Sequence, residues 1–279
     1  MEKYDLLPRQ LLHEGTCTSD DFFTPNPIDR RFVERIHDPT YVERLLTLKL
    51  DKSEVRKIGF PLSQELIDRE IIIAGGTVEG ALKALNSEIA MNVAGGTHHA
   101  FKAHGEAFCL LNDQAIAAQY LLDHKLASKI LIVDLDVHQG NGTAEIFESN
   151  ADVFTFSMHG KKNYPFHKTK SDLDLELEDN CSDEKFLAIL KETLPELIKK
   201  VKPDFIFYLC GVDVLSTDKL GRIGMSIEGC KQRDLIVLEL CKALKIPVQC
   251  SMGGGYSQDI RIIIEAHANT FRTAKNIFD

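Results

Sequence analysis

The sequence contains no tryptophan, and its seven cysteines form no Cys-x-x-C pair. Scattered cysteines in an odd number argue against a disulfide framework or a zinc finger, and they favour reduced thiols in a cytosol. No apolar run approaches the roughly 20 residues that a membrane-spanning helix needs. The opening stretch, MEKYDLLPRQ, is too charged for a signal peptide. We therefore expect a cytoplasmic protein without a membrane span.

Basic residues are in the minority, with 33 Lys and Arg against 42 Asp and Glu, so the net charge is −9. An acidic chain is a poor general binder of nucleic acid or of anionic membranes, and we expect no nucleic-acid partner. The same charge suits a cationic or Lys-rich substrate. The length of 279 residues allows one large domain with a sizeable core.

The arrangement of apolar segments predicts an α/β fold. Residues 1–60 are expected to form an irregular N-terminal segment that packs on the rest, with one short helix over 39–50. After residue 77, helical segments alternate with the apolar strands ILIVDLDV, ADVFTFSM, DFIFYLCG and IPVQCSMGGG. Such alternation predicts an open, mostly parallel sheet with helices on both faces. No linker or repeat interrupts it, so we expect a single domain over 1–279.

Ligand-type side chains follow the predicted strands. ILIVDLDVH ends a buried strand with Asp134, Asp136 and His138, which alternate and therefore share one face. Ligands bind beyond the carboxyl ends of parallel strands, so polar residues at these ends should meet at one rim. The others that follow strands are His98, His99, Ser157, His159, Asp213 and Tyr256.

These residue types suit a hydrolytic metal site. Two carboxylates and one imidazole, from Asp136, His138 and Asp213, are ligands for a borderline metal such as Zn²⁺ and leave one position open for water. The tandem histidines could complete the deprotonation of that water. Tyr256, beside a run of glycines, could donate a hydrogen bond to a developing oxyanion. The set predicts metal-assisted hydrolysis of an amide or ester.

Five motifs resemble, in the same order, the signature blocks of zinc-dependent histone deacetylases and their bacterial deacetylase-like relatives. They are GGTHHA, GEAFCLLND, IVDLDVHQGNG, CGVDVLSTDKLG and GGGY. The resemblance runs from about Gly75 to the C-terminus, and the QGNG ending is most similar to the class IV branch. It implies an arginase/deacetylase-type fold. It also implies a hydrolase that removes acyl groups from lysine in proteins or peptides, or from polyamines or related small amines.

The resemblance also implies a role for each matching residue. Asp134 would orient His98 from behind, His99 would act as general base and then acid, and Tyr256 would stabilise the oxyanion. The zinc ligands would be Asp136, His138 and Asp213. A monovalent cation, K⁺ or Na⁺, would lie near Asp134, Asp136, His138, Ser157 and Met158. Phe108 and Phe166 would wall the tunnel that admits the acyl-lysine.

The sequence departs from the family pattern at three places. Asn141 stands behind His99, where many members have Asp, and an amide there favours a neutral His99. Ala107 precedes Phe108, where the family usually has Gly, so its methyl would crowd the substrate tunnel or alter the chain-length preference. The N-terminal region lacks the usual His-Pro-rich opening, so the rim that recognises the substrate cannot be carried over from the family.

Two alternative functions are compatible with the sequence. A dinuclear-metal ureohydrolase shares the fold but needs more bridging carboxylates than Asp213 offers at the last acidic motif. A non-catalytic module would bind acyl-lysine in the same pocket without turnover. The sequence specifies neither the acyl chain length, nor the oligomeric state, nor an involvement of histones.

Overall fold

In the computed structural model, which describes residues 2–279, six strands form one parallel sheet. The strands are β1 (Ile89–Asn92), β2 (Ile130–Asp134), β3 (Val153–Gly160), β4 (Leu173–Leu177), β5 (Phe205–Leu209) and β6 (Val248–Ser251). The strand order is β1-β6-β5-β2-β3-β4, and every neighbouring pair runs parallel. The predicted open parallel sheet is confirmed.

Helices cover both faces of this sheet. The helices are α1 (Lys3–His13), α2 (Arg30–Val33), α3 (Pro39–Leu46), α4 (Lys52–Ile58), α5 (Gln64–Ser87), α6 (Asp113–Asp123), α7 (Asn141–Phe147), α8 (Asp183–Val201), α9 (Ile227–Leu244) and α10 (Ile260–Phe278). Alternate residues of β2 point to opposite faces. Leu131 and Val133 pack with α8, α9 and α10, whereas Ile130 and Ile132 pack with α3, α5 and α6. None of the helices described for residues 2–279 could span a membrane.

The prediction of an irregular N-terminal segment is wrong, because α1 to α4 and a short 3₁₀ helix (Ser19–Asp21) lie within it. Aspartates begin three of these helices: the side chains of Asp29, Asp38 and Asp51 accept hydrogen bonds from backbone N–H groups of the first turn. The apolar side of α1 is buried against Met252 and α10. The short helix predicted over 39–50 is present as α3, with its proline at the first position of the helix, where the missing N–H costs nothing.

Other boundaries also differ from the prediction. Strand β2 ends at Asp134, so Asp136 and His138 lie in the turn after it rather than in the strand. Ser157 and His159 lie inside β3 rather than beyond its end. Strand β4 is half-exposed, and its sequence, LDLEL, alternates apolar and charged residues. It was not predicted because the charged residues made the segment resemble a loop. Helix α7 was not predicted because it begins with Asn-Gly, a turn signal.

Candidate active site

The predicted site residues meet at the carboxyl end of the sheet. The ends of β1, β6, β5 and β2 lie side by side, and the segments that follow them carry the ligand-type side chains. A cavity of about 610 Å³ opens there. Its lining includes His98, His99, Asp136, His138, Asp213 and Tyr256. On the other side of the turn after β2, Leu135 and Val137 are fully buried in the core, as the alternation predicted.

Asp136, His138 and Asp213 form the one candidate group of metal ligands found among residues 2–279, with ligand atoms within 4.8 Å of one another. The His138 Nδ1 atom lies 3.1 Å from Asp136 Oδ1 and 3.3 Å from Asp213 Oδ2. Backbone N–H groups orient both carboxylates: Val137 donates to Asp213 Oδ1 at 2.9 Å, and Gly254 donates to Asp136 Oδ2 at 3.1 Å. Three ligand atoms are therefore held together in one place.

The electrostatics of this group call for a cation. Burial raises the pKa of Asp213 to about 7, and the neighbouring Asp136 carboxylate adds to the increase. Burial lowers the pKa of His138, but the adjacent carboxylates of Asp136 and Asp213 outweigh this and raise it to about 10. The buried Asp213 Oδ2 atom accepts no hydrogen bond. A Cβ atom on Gly254 would collide with the Asp213 carboxylate and lie 3.0 Å from Asp136 Oδ2, so the glycine leaves room between them. The donor set and this space fit a zinc ion.

The two histidines have different partners and opposite pKa shifts. His98 Nδ1 donates to Asp134 Oδ2 at 2.7 Å, and His99 Nδ1 donates to Asn141 Oδ1 at 2.6 Å. Burial lowers the pKa of His98, but the Asp134 carboxylate raises it above the usual value. Burial and the nearby imidazoles of His98 and His138 hold the pKa of His99 well below its usual value. These effects favour the neutral form of His99, whose Nδ1 is bound to Asn141.

A buried carboxylate that the sequence reasoning missed supports the loop before the histidines. Asp113 accepts hydrogen bonds from the backbone N–H groups of Gly96 and Thr97 at 2.9 and 2.8 Å, and from the Thr97 hydroxyl at 2.7 Å. It also accepts from Thr77 of α5 and Ser251 of β6. The Asn-Asp pair in the motif GEAFCLLND was the available signal, because a charged residue after an apolar run at a helix start is often a cap or a support.

Arg233 of α9 was also missed, although it contacts both ligand-bearing turns. Its side chain is fully buried and donates to the carbonyls of Leu135 at 3.3 Å and Gly211 at 2.6 Å. These carbonyls lie one residue before Asp136 and two before Asp213. The guanidinium is neutralised by Asp234 at 2.7 Å. Arg233 therefore holds the two turns that carry the candidate carboxylate ligands, and the Arg-Asp pair inside the helix was its sequence signal.

Tyr256 lies on the cavity wall beside the N-terminal helix. Its backbone N–H donates to Asp218 Oδ2 at 2.6 Å, and its ring centroid is 6.2 Å from that of Phe108. Lys3 of α1 is buried next to it: the Lys3 Nζ atom is 5.4 Å from the Tyr256 ring and donates to the Gly253 carbonyl at 3.1 Å. Burial lowers the pKa of Lys3 to about 8, against the raising effect of nearby carboxylates. Helix α1 thus contributes to the site.

The aromatic residues that line the cavity lie at different depths. Phe108 is 40% exposed and packs against Phe60, with ring centroids 4.9 Å apart. Phe166 is 84% exposed and lies at the outer edge of the cavity. Tyr164, which the sequence analysis did not single out, packs edge-on against His99 at 5.0 Å. Tyr164 is therefore the aromatic residue beside the histidines, and a wall formed by Phe166 stays a prediction for the outer rim.

Ala107 and Phe108 both have left-handed backbone conformations, with φ of 44° and 69°. Glycine adopts this region without the steric penalty of a Cβ atom, which accounts for the glycine usual in the resembling family at position 107. Two backbone hydrogen bonds to the end of α4 hold the segment: Ala107 donates to the Lys57 carbonyl at 3.0 Å, and Phe108 donates to the Ile58 carbonyl at 2.7 Å. Ala107 is one of the residues that line the cavity.

The residues of the predicted monovalent-cation site are close in the fold. Asp134 pairs in register with Ser157 across β2 and β3, and Met158 follows directly and is fully buried. The Ser157 hydroxyl is 2.9 Å from His159 Nδ1. A cation held by Asp134, Ser157 and Met158 stays a prediction.

Comparisons with known proteins agree with this geometry. A family model described as Histone deacetylase domain matches residues 1–271. An uncharacterized protein of Picosynechococcus sp. is 42% identical over 278 residues, which cover 100% of this chain and 93% of that protein. Histone deacetylase clr6 of Schizosaccharomyces pombe is 31% identical over 84% of this chain, which spans 62% of that protein's length. The solved structure of an HDAC homolog complexed with SAHA has a TM-score of 0.84 and 25% identity, over 97% of this chain and 77% of that one. On fold, motifs and relatives, the chain belongs to the histone deacetylase domain family.

Proposed function

We propose that the chain is a zinc-dependent deacylase that hydrolyses the amide of an N-acyl-lysine or of a related N-acylated amine. One observation carries the proposal: the three candidate zinc ligands, the two histidines and Tyr256 line a single cavity. Asp136, His138 and Asp213 would hold the zinc ion. When bound, zinc polarises a carbonyl and lowers the pKa of a water molecule toward neutrality.

The residues around the metal divide the remaining chemistry. His99, kept neutral by burial, would take a proton from the attacking water at Nε2 and then give it to the leaving amine. The Asp134 carboxylate accepts a hydrogen bond from His98 and raises the pKa of this imidazole. His98 would therefore supply positive charge beside the reacting amide. The Tyr256 hydroxyl would donate to the oxygen on which negative charge develops. Phe108 and Tyr164 would flank the aliphatic part of the acyl-lysine and exclude water.

Hydrolysis of an acyl-lysine peptide panel by zinc-loaded protein tests this proposal. The panel runs from acetyl to myristoyl, and free lysine amine is measured with and without a chelator. We expect one zinc per chain and turnover that the chelator abolishes and added zinc restores. About two metals per chain would favour a ureohydrolase-like enzyme instead. Tight binding of the peptides by the one-zinc protein without release of amine would replace the proposal by a binding module.

Replacing Asn141 by Asp should move the pH dependence of the reaction. A carboxylate beside Nδ1 stabilises the imidazolium form of His99, so the pKa of His99 rises and the base is protonated over a wider range of acidic pH. We expect the acidic limb of kcat/KM to move to higher pH by roughly one unit, which corresponds to about 1.4 kcal/mol. The measurement is a pH profile of kcat/KM for both proteins. An unmoved acidic limb would show that His99 is not the group that titrates there.

A further inference from the structure

The mouth of the active-site cavity has the opposite charge to the whole chain. Five exposed basic residues line it, and we call them the cationic rim: Arg56, Lys57, Lys162, Lys219 and Arg222. The carboxylates among the lining residues are Asp136, Asp213 and Glu70, all of them buried. Glu70 is paired with Arg69 at 2.7 Å. A chain with a net charge of −9 therefore surrounds its candidate active site with surface cations.

Three separate segments contribute to the cationic rim, so it is a feature of the fold. The last turn of α4 carries Arg56 and Lys57. Backbone hydrogen bonds from Ala107 and Phe108 join this turn to the wall of the cavity. Lys162 precedes Tyr164 in the loop after β3, and Lys219 and Arg222 lie in the loop after β5. Asn163 joins these two loops, because its side chain donates to the Leu220 carbonyl at 2.7 Å and accepts from the Arg222 N–H at 3.2 Å.

Local carboxylates neutralise only part of this charge. Asp179 lies 3.4 Å from Lys162 and 3.2 Å from Arg222, so one carboxylate serves two cations. Within residues 2–279, no carboxylate forms an ion pair with Arg56, Lys57 or Lys219. The nearby carboxylates keep their charge but bind other donors: both oxygens of Asp218 accept backbone N–H groups, and Glu106 accepts the Tyr164 hydroxyl. Three unpaired cations at the entrance would attract a substrate that carries negative charge close to its acylated lysine.

We propose that this deacylase selects acyl-lysines flanked by acidic side chains in a peptide or protein, and that the cationic rim disfavours polyamines and Lys-rich tails. The inference rests on the proposed function for turnover, but the binding preference can be measured without it. The acidic composition of the whole chain suggested a cationic substrate. The cationic rim lies closer to the substrate than most of the acidic surface does. Because charges beyond about 10 Å are largely screened at 0.1 M salt, the rim should decide the preference rather than the net charge.

The test compares three peptides that carry the same acyl-lysine between two Glu, two Gln or two Lys residues on each side. Dissociation constants by fluorescence anisotropy and kcat/KM are measured for each with the zinc-loaded chain. At low salt, we expect the Glu peptide to bind about 10-fold more tightly than the Gln peptide and to have a correspondingly higher kcat/KM. The Lys peptide should bind most weakly. At 1 M salt, where the Debye length is about 3 Å, the difference should fall below about 2-fold.

A double variant, Lys57→Glu with Lys219→Glu, should abolish or invert this preference. The control is Lys185→Glu with Lys191→Glu on α8, which makes the same change in net charge at exposed positions that do not line the cavity. The control should keep the preference of the unaltered protein. If the first double variant does not fold, Gln at the same two positions removes the charge more gently and should reduce the preference.

Equal affinity for the three peptides, or a preference for the Lys peptide, would overturn the inference. So would a loss of preference in the control as large as that in the rim variant, because net charge would then explain it. If the peptides bind with the expected order but no amine is released, the inference stands and the deacylase proposal fails. If the Gln peptide is hydrolysed but flanking charge has no effect, the deacylase proposal stands and the inference fails.

Discussion

Replacing Tyr256 by Phe should lower kcat by about 10²- to 10³-fold, the loss typical of removing one donor to an oxyanion. The substitution removes the hydroxyl and keeps the ring, which contacts Phe108 and the Lys3 ammonium group on the cavity wall. KM should change little, because the hydroxyl is proposed to act on charge that develops only in the transition state. The measurement is steady-state kinetics on the best peptide of the acyl panel.

The matched control for Tyr256 is Tyr120→Phe, which removes one phenolic hydroxyl from α6, away from the cavity. It should retain the activity of the unaltered protein. Zinc content and thermal unfolding should be the same for both variants and the parent. Full activity of the Tyr256→Phe protein would show that another group stabilises the oxyanion, and the role proposed for Tyr256 would be wrong.

Replacing Arg233 by Met should reduce the free energy of unfolding by about 3–5 kcal/mol, the range found when one partner of a buried ion pair is removed. The substitution leaves Asp234 as a buried carboxylate with only the Tyr208 and Thr270 hydroxyls as donors, both at 2.6 Å. It also releases the Leu135 and Gly211 carbonyls, which lie beside the two carboxylate ligands. Weaker zinc binding should therefore accompany the loss of stability.

Denaturant unfolding of the metal-free protein and a zinc competition titration measure the two effects of Arg233→Met separately. Arg261→Met is the control: Arg261 pairs with Asp259 on the surface and is 87% exposed, so its loss should change neither quantity appreciably. A variant at Arg233 that unfolds like its parent and binds zinc equally well would mean that the two ligand turns hold their positions without the guanidinium.

The parts of the site that could be predicted are those with a local pattern. The apolar run before Asp134 predicted a buried strand, and the rule that parallel strands deliver ligands to one edge then brought Asp136, His138 and Asp213 together. Strand β2 ends earlier than predicted, yet its alternation persists through the turn, because Leu135 and Val137 remain in the core. The fold followed from the same alternation of strands and helices.

The parts that could not be predicted depend on contacts between distant positions. Arg233 binds a carbonyl 98 residues away, and Lys3 binds one 250 residues away, so the sequence does not show which groups these side chains meet, although the adjacent Asp234 marks Arg233 as unusual. Helix α1 was missed because its apolar residues gain their partners only when α10 packs against them. Tyr164 was missed because it lies only two residues from Phe166 in the same loop. The sequence alone does not show which of the two rings packs against His99.

The burial of the cysteines bears on which metals the protein can acquire in a cell. Burial raises the pKa of every one of the seven thiols, to about 12 for Cys230 and Cys241. A thiol must lose its proton before it becomes a good metal ligand, so at neutral pH the folded chain presents no ready thiolate. Soft ions such as copper(I) prefer sulfur and displace the thiol proton when they bind, so exposure decides which thiol they can reach. Six of the seven cysteines are buried and Cys17 is partly exposed, so a thiophilic ion should react first at Cys17 rather than in the core.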